Sequence, residues 1–308
     1  VPVDSNKRKP RQNGPAAARE RQRILREQQK RKQAQQRLLV RVGAPILAIV
    51  VIIAALVVVK VTTHHKKTAA AAATSLADAS VVKAIATIPA ATYNTVGVGT
   101  GVTALTAITG EALTANGKPR MLYIGAEFCP FCAGERWAVV TALSRFGTFT
   151  NLSQTTSSST DVDPSTATLS FHGATYTSPY LSFTGVETTT NQPDSSSSSG
   201  YKTLDTPSKA DQATDAKYNS QGSIPFVDFG NKYVVVGASY DPGILKGLTH
   251  QQIAQDLVNP SSTVAKTVLG VANMMTAAVC KMTNGNPGSV CTSSGVVAAA
   301  AKLPAAKS

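Results

Sequence analysis

Residues 42–59 read VGAPILAIVVIIAALVVV, eighteen apolar residues without a charge. A helix of that length spans about 27 Å, close to the thickness of a bilayer core, so the run predicts one transmembrane helix. Pro45 falls in its first turn, where a missing N–H costs little. A cleaved leader is the rival reading, but its apolar region is usually about 7–15 residues long and follows a short basic segment, not a long tail. Lys and Arg beside a span stay on the cytoplasmic side. Thirteen of them precede this one, and only Lys60, Lys66 and Lys67 closely follow it. The N-terminus is therefore expected in the cytoplasm and residues 60–308 outside, in a single-pass plasma-membrane topology.

The formal charge of +13 would suit a nucleic-acid partner if it were spread over a folded surface. It is not. Residues 1–41 carry 13 Lys/Arg against Asp4, Glu20 and Glu27, so nearly all the excess lies in this tail. A basic block directly before a span matches anionic lipid headgroups, and nucleic acid is not expected as a partner. Residues 16–39 read as a polar helix without an apolar stripe wide enough for a coiled-coil seam, able to lie along the membrane or dock on a partner.

Residues 60–74 read as an Ala/Thr-rich linker, and residues 75–303 as the extracytoplasmic domain. Leu76, Val81, Val82, Ile85 and Ile88 give a helical pattern closed by Pro89, and a Gly/Thr-rich connection follows over 92–110. Residues 120–126 (RMLYIGA) have the profile of a buried strand. The strand ends on Glu127-Phe128-Cys129-Pro130-Phe131-Cys132, after which Trp137, Val140, Leu143 and Phe146 recur at helical spacing. Residues 149–200 are β-rich and polar, with a hairpin expected about Gly173 and a strand over 181–188. A polar helix is expected over 207–219, and residues 224–229 and 232–237 form a hairpin about Gly230-Asn231. Thr249 and Ser262 begin two further helices.

A Cys-X-X-Cys pair serves thiol–disulfide exchange, metal binding or structure. At a strand-to-helix junction Cys129 would cap the helix, whose dipole and free N–H groups stabilise a thiolate, the attacking species. Cys132, one turn on, would resolve the mixed disulfide. Phe131 lacks the positive character a histidine would bring, so this pair is expected to be less oxidising than Cys-Pro-His-Cys.

The strand, the motif, the helix and the later Ile224-Pro225 resemble the thioredoxin superfamily. More narrowly, AEFCPFCAGERWAVVTALSRFGTF and SPYLSFTGVE resemble a family of membrane-anchored thioredoxin-like proteins, domain of unknown function 929, over roughly residues 75–303. The resemblance implies an α/β thioredoxin-like domain with a β-rich insertion at about 150–222 and extra C-terminal helices. It also implies that Pro225 is a cis-proline facing the cysteines and holding an extended substrate. An ordinary trans proline at a strand start is the alternative.

Cys280 and Cys291 flank a turn-rich segment. In an oxidising compartment they read as a structural disulfide or, if close to Cys129 and Cys132, as a second redox pair. Glu127 reads as a surface residue at a strand end or a proton-transfer group, and Trp137 as core or groove wall. His172 and His250 read as surface residues; as partners of the thiols they would suit copper. No cofactor or metal is assigned. The expected function is a membrane-anchored thiol–disulfide oxidoreductase acting through Cys129, Cys132 and Pro225 on extracytoplasmic protein thiols or disulfides. The alternative is a non-catalytic thioredoxin-like accessory subunit of a membrane complex.

Overall fold

A computed structural model describes residues 73–305. The basic tail, the apolar run 42–59 and all but the end of the 60–74 linker lie outside the described residues.

The described chain is mixed α/β. Its central sheet contains β1 (Thr106–Ala107), β2 (Thr114–Ala115), β3 (Lys118–Gly125), β4 (Ser182–Glu187), β5 (Phe226–Phe229) and β6 (Tyr233–Val236). β3 lies at the centre. It pairs in parallel with β4, from Arg120↔Ser182 to Gly125↔Glu187, and antiparallel with β5, from Phe226↔Ile124 to Phe229↔Met121. β6 returns antiparallel on β5 and carries β1 at its outer edge, while β2 forms a hairpin with the start of β3.

Side chains alternate across a strand, and β3 is buried on both faces. Met121 and Tyr123 join Val227, Phe229 and Val235 in the main core; Leu122 and Ile124 join Val186, Phe226 and Val234 in a smaller cluster on the other face. Eight helices surround the sheet among the described residues: α1 (Ala79–Ala86), α2 (Ala90–Val96), α3 (Pro130–Leu143), α4 (Lys209–Tyr218), α5 (His250–Val258), α6 (Thr263–Met282), α7 (Gly288–Cys291) and α8 (Ser294–Ala300). α3 and α6 supply most of the helical side of the main core, and Tyr218 of α4 packs on the smaller cluster. α6 is long and apolar enough to cross a membrane, yet most of its apolar window is buried within this fold. Here that composition serves packing.

Several local expectations change. Leu76 does not belong to the first helix: it lies in a short strand paired with Ser153 and is 69% exposed. Pro89, read as a terminator, is also the N-cap of α2, so a second helix stands where a connection was expected. This follows from its extended ψ of 141°, which ends one helix and starts the next. The two runs about Gly173 do not pair with each other. Ala167–Ser170 pairs with Ser153–Thr156, and Thr175–Thr177 pairs with Thr148–Thr150. Gly173, at φ 71°, makes a turn that passes the chain from one small sheet to another. The aromatic side chains of Phe149, Phe171, Tyr176 and Phe183 pack together at this crossover. Finally, β4 falls inside the segment read as an insertion, so that segment contributes a strand to the central sheet as well as peripheral structure.

Candidate functional site

β3 ends at Gly125, and the chain reaches the first turn of α3 through Ala126, Glu127 and Phe128. Cys129 is the N-cap residue, with extended backbone, and Pro130 follows in the first turn. A proline fits there because its missing N–H would have no helical partner. The Cys129 sulfur takes the place of a capping oxygen and accepts the N–H of Cys132 at 3.2 Å. Its thiol also points at the Ile224 carbonyl, 3.9 Å away.

The antiparallel register explains that second contact. Phe226 lies opposite Ile124, so the residues just before β5 arrive at the end of β3 from which Cys129 departs. The Ile224–Pro225 peptide bond is cis. Pro225, more than 90 residues beyond the cysteines in sequence, is thereby brought to the same end of the sheet as Cys129 and Cys132.

Both cysteines are free thiols. Cys129 is 4% exposed and Cys132 fully buried. A hydrogen bond from the Cys132 side chain draws the Cys129 thiol below its ordinary range; the Cys132 N–H and the Arg136 guanidinium act in the same direction against burial. Burial pushes Cys132 well above that range, and its hydrogen bond with Cys129 adds to the effect. One sulfur is thus prepared to ionise and the other to stay protonated.

The surroundings are partly aromatic. Phe131 is 41% exposed between the two cysteines. Phe128 stacks on Tyr201 with ring centroids 4.3 Å apart, and the Tyr201 hydroxyl donates to Ser158, whose own N–H donates to the Phe128 carbonyl. Peripheral strands therefore hold the residue preceding Cys129 and close that side of the motif.

Beneath the cysteines α3 contains two ionisable groups that the periodicity does not single out. Arg136 is fully buried and binds Glu187 of β4 through two bonds, Nε to Oε1 at 2.8 Å and Nη2 to Oε2 at 2.9 Å. Burial is the largest influence and opposes the guanidinium charge, but the facing Glu187 carboxylate together with Tyr123 and Cys132 outweighs it and raises Arg136 well above its ordinary range. Glu135 has no cationic partner among the described residues. It accepts the Ser239 N–H and hydroxyl, and burial pushes its carboxyl up to about 7. The available signal was a Glu-Arg dipeptide in an otherwise apolar helix, because charges on a core-facing helix need partners.

Other candidates have different roles. Glu127 is buried, not a surface residue, and accepts from Ser170 and Thr74, tying the start of the domain to a neighbouring strand. Trp137 is core, its indole donating to the Ala167 carbonyl. His172 pairs with Asp205, while Nε2 of His250 lies 2.9 and 2.8 Å from the Thr155 and Thr168 carbonyls. Among the described residues no three His, Cys, Asp or Glu side chains form a group able to hold a metal.

Cys280 and Cys291 form a disulfide. It lies at the other end of the sheet: Phe229 pairs with Met121 near the start of β3, and the following Gly230 packs against Met282 at the end of α6. Separated from Cys129 by the length of β3, this pair cannot exchange directly with it. Its geometry is that of a staple joining the end of α6 to α7.

Fold and site together define a mixed α/β domain with two vicinal thiols at the N-terminus of a buried helix. The chain belongs to the family described as Domain of unknown function (DUF929), whose model matches residues 104–281. The match is narrower than the 75–303 expected from resemblance; it contains Cys129, Cys132 and Pro225 but ends before Cys291. No curated protein and no solved structure matches the chain.

Proposed function

We propose that this chain is a membrane-anchored, thioredoxin-like thiol–disulfide oxidoreductase whose folded domain acts outside the cytoplasm. The observation that carries this reading is the unequal pair: Cys129, capping α3 and accepting the Cys132 N–H, beside a fully buried Cys132. The Ile224 carbonyl and Pro225 adjoin Cys129, where an extended substrate would lie. The anchor and topology rest on the apolar run 42–59 and the basic tail.

In reduction of a substrate, the Cys129 thiolate attacks one sulfur of a substrate disulfide. A mixed disulfide forms, and one substrate thiolate leaves. Cys132 then gives up its proton and attacks the Cys129 sulfur, expelling the second substrate thiolate. The substrate gains two electrons and the chain is left with a Cys129–Cys132 disulfide. Oxidation of a dithiol substrate runs through the same steps in reverse.

Cys132→Ser should trap substrates on Cys129 as mixed disulfides that disappear on reduction. Cys129→Ser should trap none, and undiminished exchange in that variant would overturn the proposal.

A second reading, a non-catalytic accessory subunit, is favoured by the 4% exposure of Cys129 beneath its aromatic neighbours. It predicts copurification with fixed partners from native membrane, unchanged when both cysteines are replaced by serine.

A further inference from the structure

A fully buried ion pair seldom adds stability over a well-packed apolar pair, because both charges must be stripped of water. Arg136 and Glu187 therefore need another reason to stand in the main core one turn beyond Cys132. Their contacts suggest it. Besides its two bonds to Glu187, the guanidinium donates through Nη2 to the Ala126 carbonyl. The same carbonyl accepts the Cys129 N–H at 3.3 Å. One carbonyl thus joins the buried cation to the backbone of Cys129.

We propose that the Arg136–Glu187 pair sets the reactivity of Cys129: Arg136 is a positioning residue whose charge, delivered through the Ala126 peptide, favours the thiolate, and Glu187 limits that charge. The inference rests on the oxidoreductase reading for its biological meaning, but not for its test. Arg136 outweighs Glu187 at the sulfur because it touches the Ala126 peptide directly, whereas Glu187 stands behind it. The ionisable groups around the pair are Tyr123 on β3, Glu127 in the connecting segment, Cys132 and Glu135 on α3, and Asp205, whose carboxylate accepts the Glu187 N–H at 3.3 Å. Glu127 is held by Ser170 and Thr74, and Glu135 by Ser239, so the guanidinium is the cation placed to act on the thiols. The contacts of Glu187 are consistent with a fixed counter-ion: besides Arg136, its Oε1 accepts the Phe171 N–H at 3.3 Å.

The test measures the pH midpoint of Cys129 alkylation in the full chain in detergent micelles, in a Cys132→Ser background so that one thiol reports. Glu187→Gln keeps the shape and frees the cation. Its midpoint should fall by about half a unit or more, roughly threefold in the thiolate equilibrium. Arg136→Met with Glu187→Met removes both charges at similar volume, and its midpoint should rise by a comparable amount. If Glu187→Gln fails to fold, the double variant decides alone. Folded variants whose midpoints equal that of the parent would overturn the inference, leaving the pair a structural staple. Disulfide exchange is assayed in parallel with Cys132 restored. Shifted midpoints without exchange in any form would leave the inference standing and remove the oxidoreductase reading. Exchange with unmoved midpoints would do the opposite.

Discussion

The Cys129 sulfur accepts the backbone N–H of Cys132 at 3.2 Å, and the Cys132 side chain also hydrogen-bonds it. The first bond belongs to the helix terminus and survives any substitution that keeps α3; the second depends on the side chain at 132. Cys132→Ala should therefore raise the pH midpoint of Cys129 alkylation relative to Cys132→Ser, whose hydroxyl can still donate. A hydrogen bond worth about 1 kcal/mol corresponds to roughly 0.7 pH unit. Equal midpoints in the two variants would show that the side chain at position 132 does not stabilise the thiolate.

Glu135 should make stability fall as pH rises. Its carboxyl, ordinarily near 4.5, is pushed up to about 7 by burial, with the Ser239 bonds pulling the other way. Below pH 4.5 the group is neutral in folded and unfolded chains and costs nothing. Between the two values the folded chain keeps a proton that the unfolded chain has released, so stability declines with pH through this window. Above about 7 the loss is complete, on the order of 3 kcal/mol. Glu135→Gln should flatten this part of the profile and be the more stable protein at pH 8, as measured by denaturant unfolding at several pH values. Asp228, raised to about 6 by burial, contributes a slope of the same sign that the substitution leaves in place.

The sequence and the structure agree most closely where a strong local signal coincides with burial. β3, the helix after Cys129, the β5–β6 hairpin and the capped starts of α5 and α6 were all legible, because alternation, helical spacing and cap residues point to one structure. The small sheets were not. Ser153–Thr156, Ala167–Ser170 and Thr175–Thr177 are short and polar, and nothing local tells such strands which neighbour to choose. At the site, Cys129 and Cys132 announced themselves by spacing, and Pro225 through resemblance. Arg136 and Glu187 could not be paired in advance, since they lie 51 positions apart and their contact depends on the parallel register of β3 and β4.

The disulfide and the thiol pair should be separable by mutation. Cys280 and Cys291 are 11 residues apart, and in the chain-entropy account closing so short a loop stabilises the fold by about 3 kcal/mol. Replacing both with alanine should lower unfolding stability by that amount. Because the pair sits at the far end of β3, the rate of Cys129 alkylation at fixed pH should not change. A slowed or accelerated Cys129 in a folded double variant would mean that the staple is coupled to the site through α6.

Phe131 offers a direct handle on redox strength. It lies in the first turn of α3 between the cysteines and is 41% exposed, so a different side chain can be placed there without repacking the core. A histidine would introduce partial positive charge beside the Cys129 thiolate, stabilising the reduced form over the disulfide. Phe131→His should therefore raise the reduction potential, by about 30 mV for each tenfold change in the thiol–disulfide equilibrium. Equilibration against glutathione at pH 6 and pH 8 would measure it. The increase should be larger at pH 6, where more of the imidazole is protonated; an equal increase at both values would assign the effect to the lost aromatic surface instead of charge.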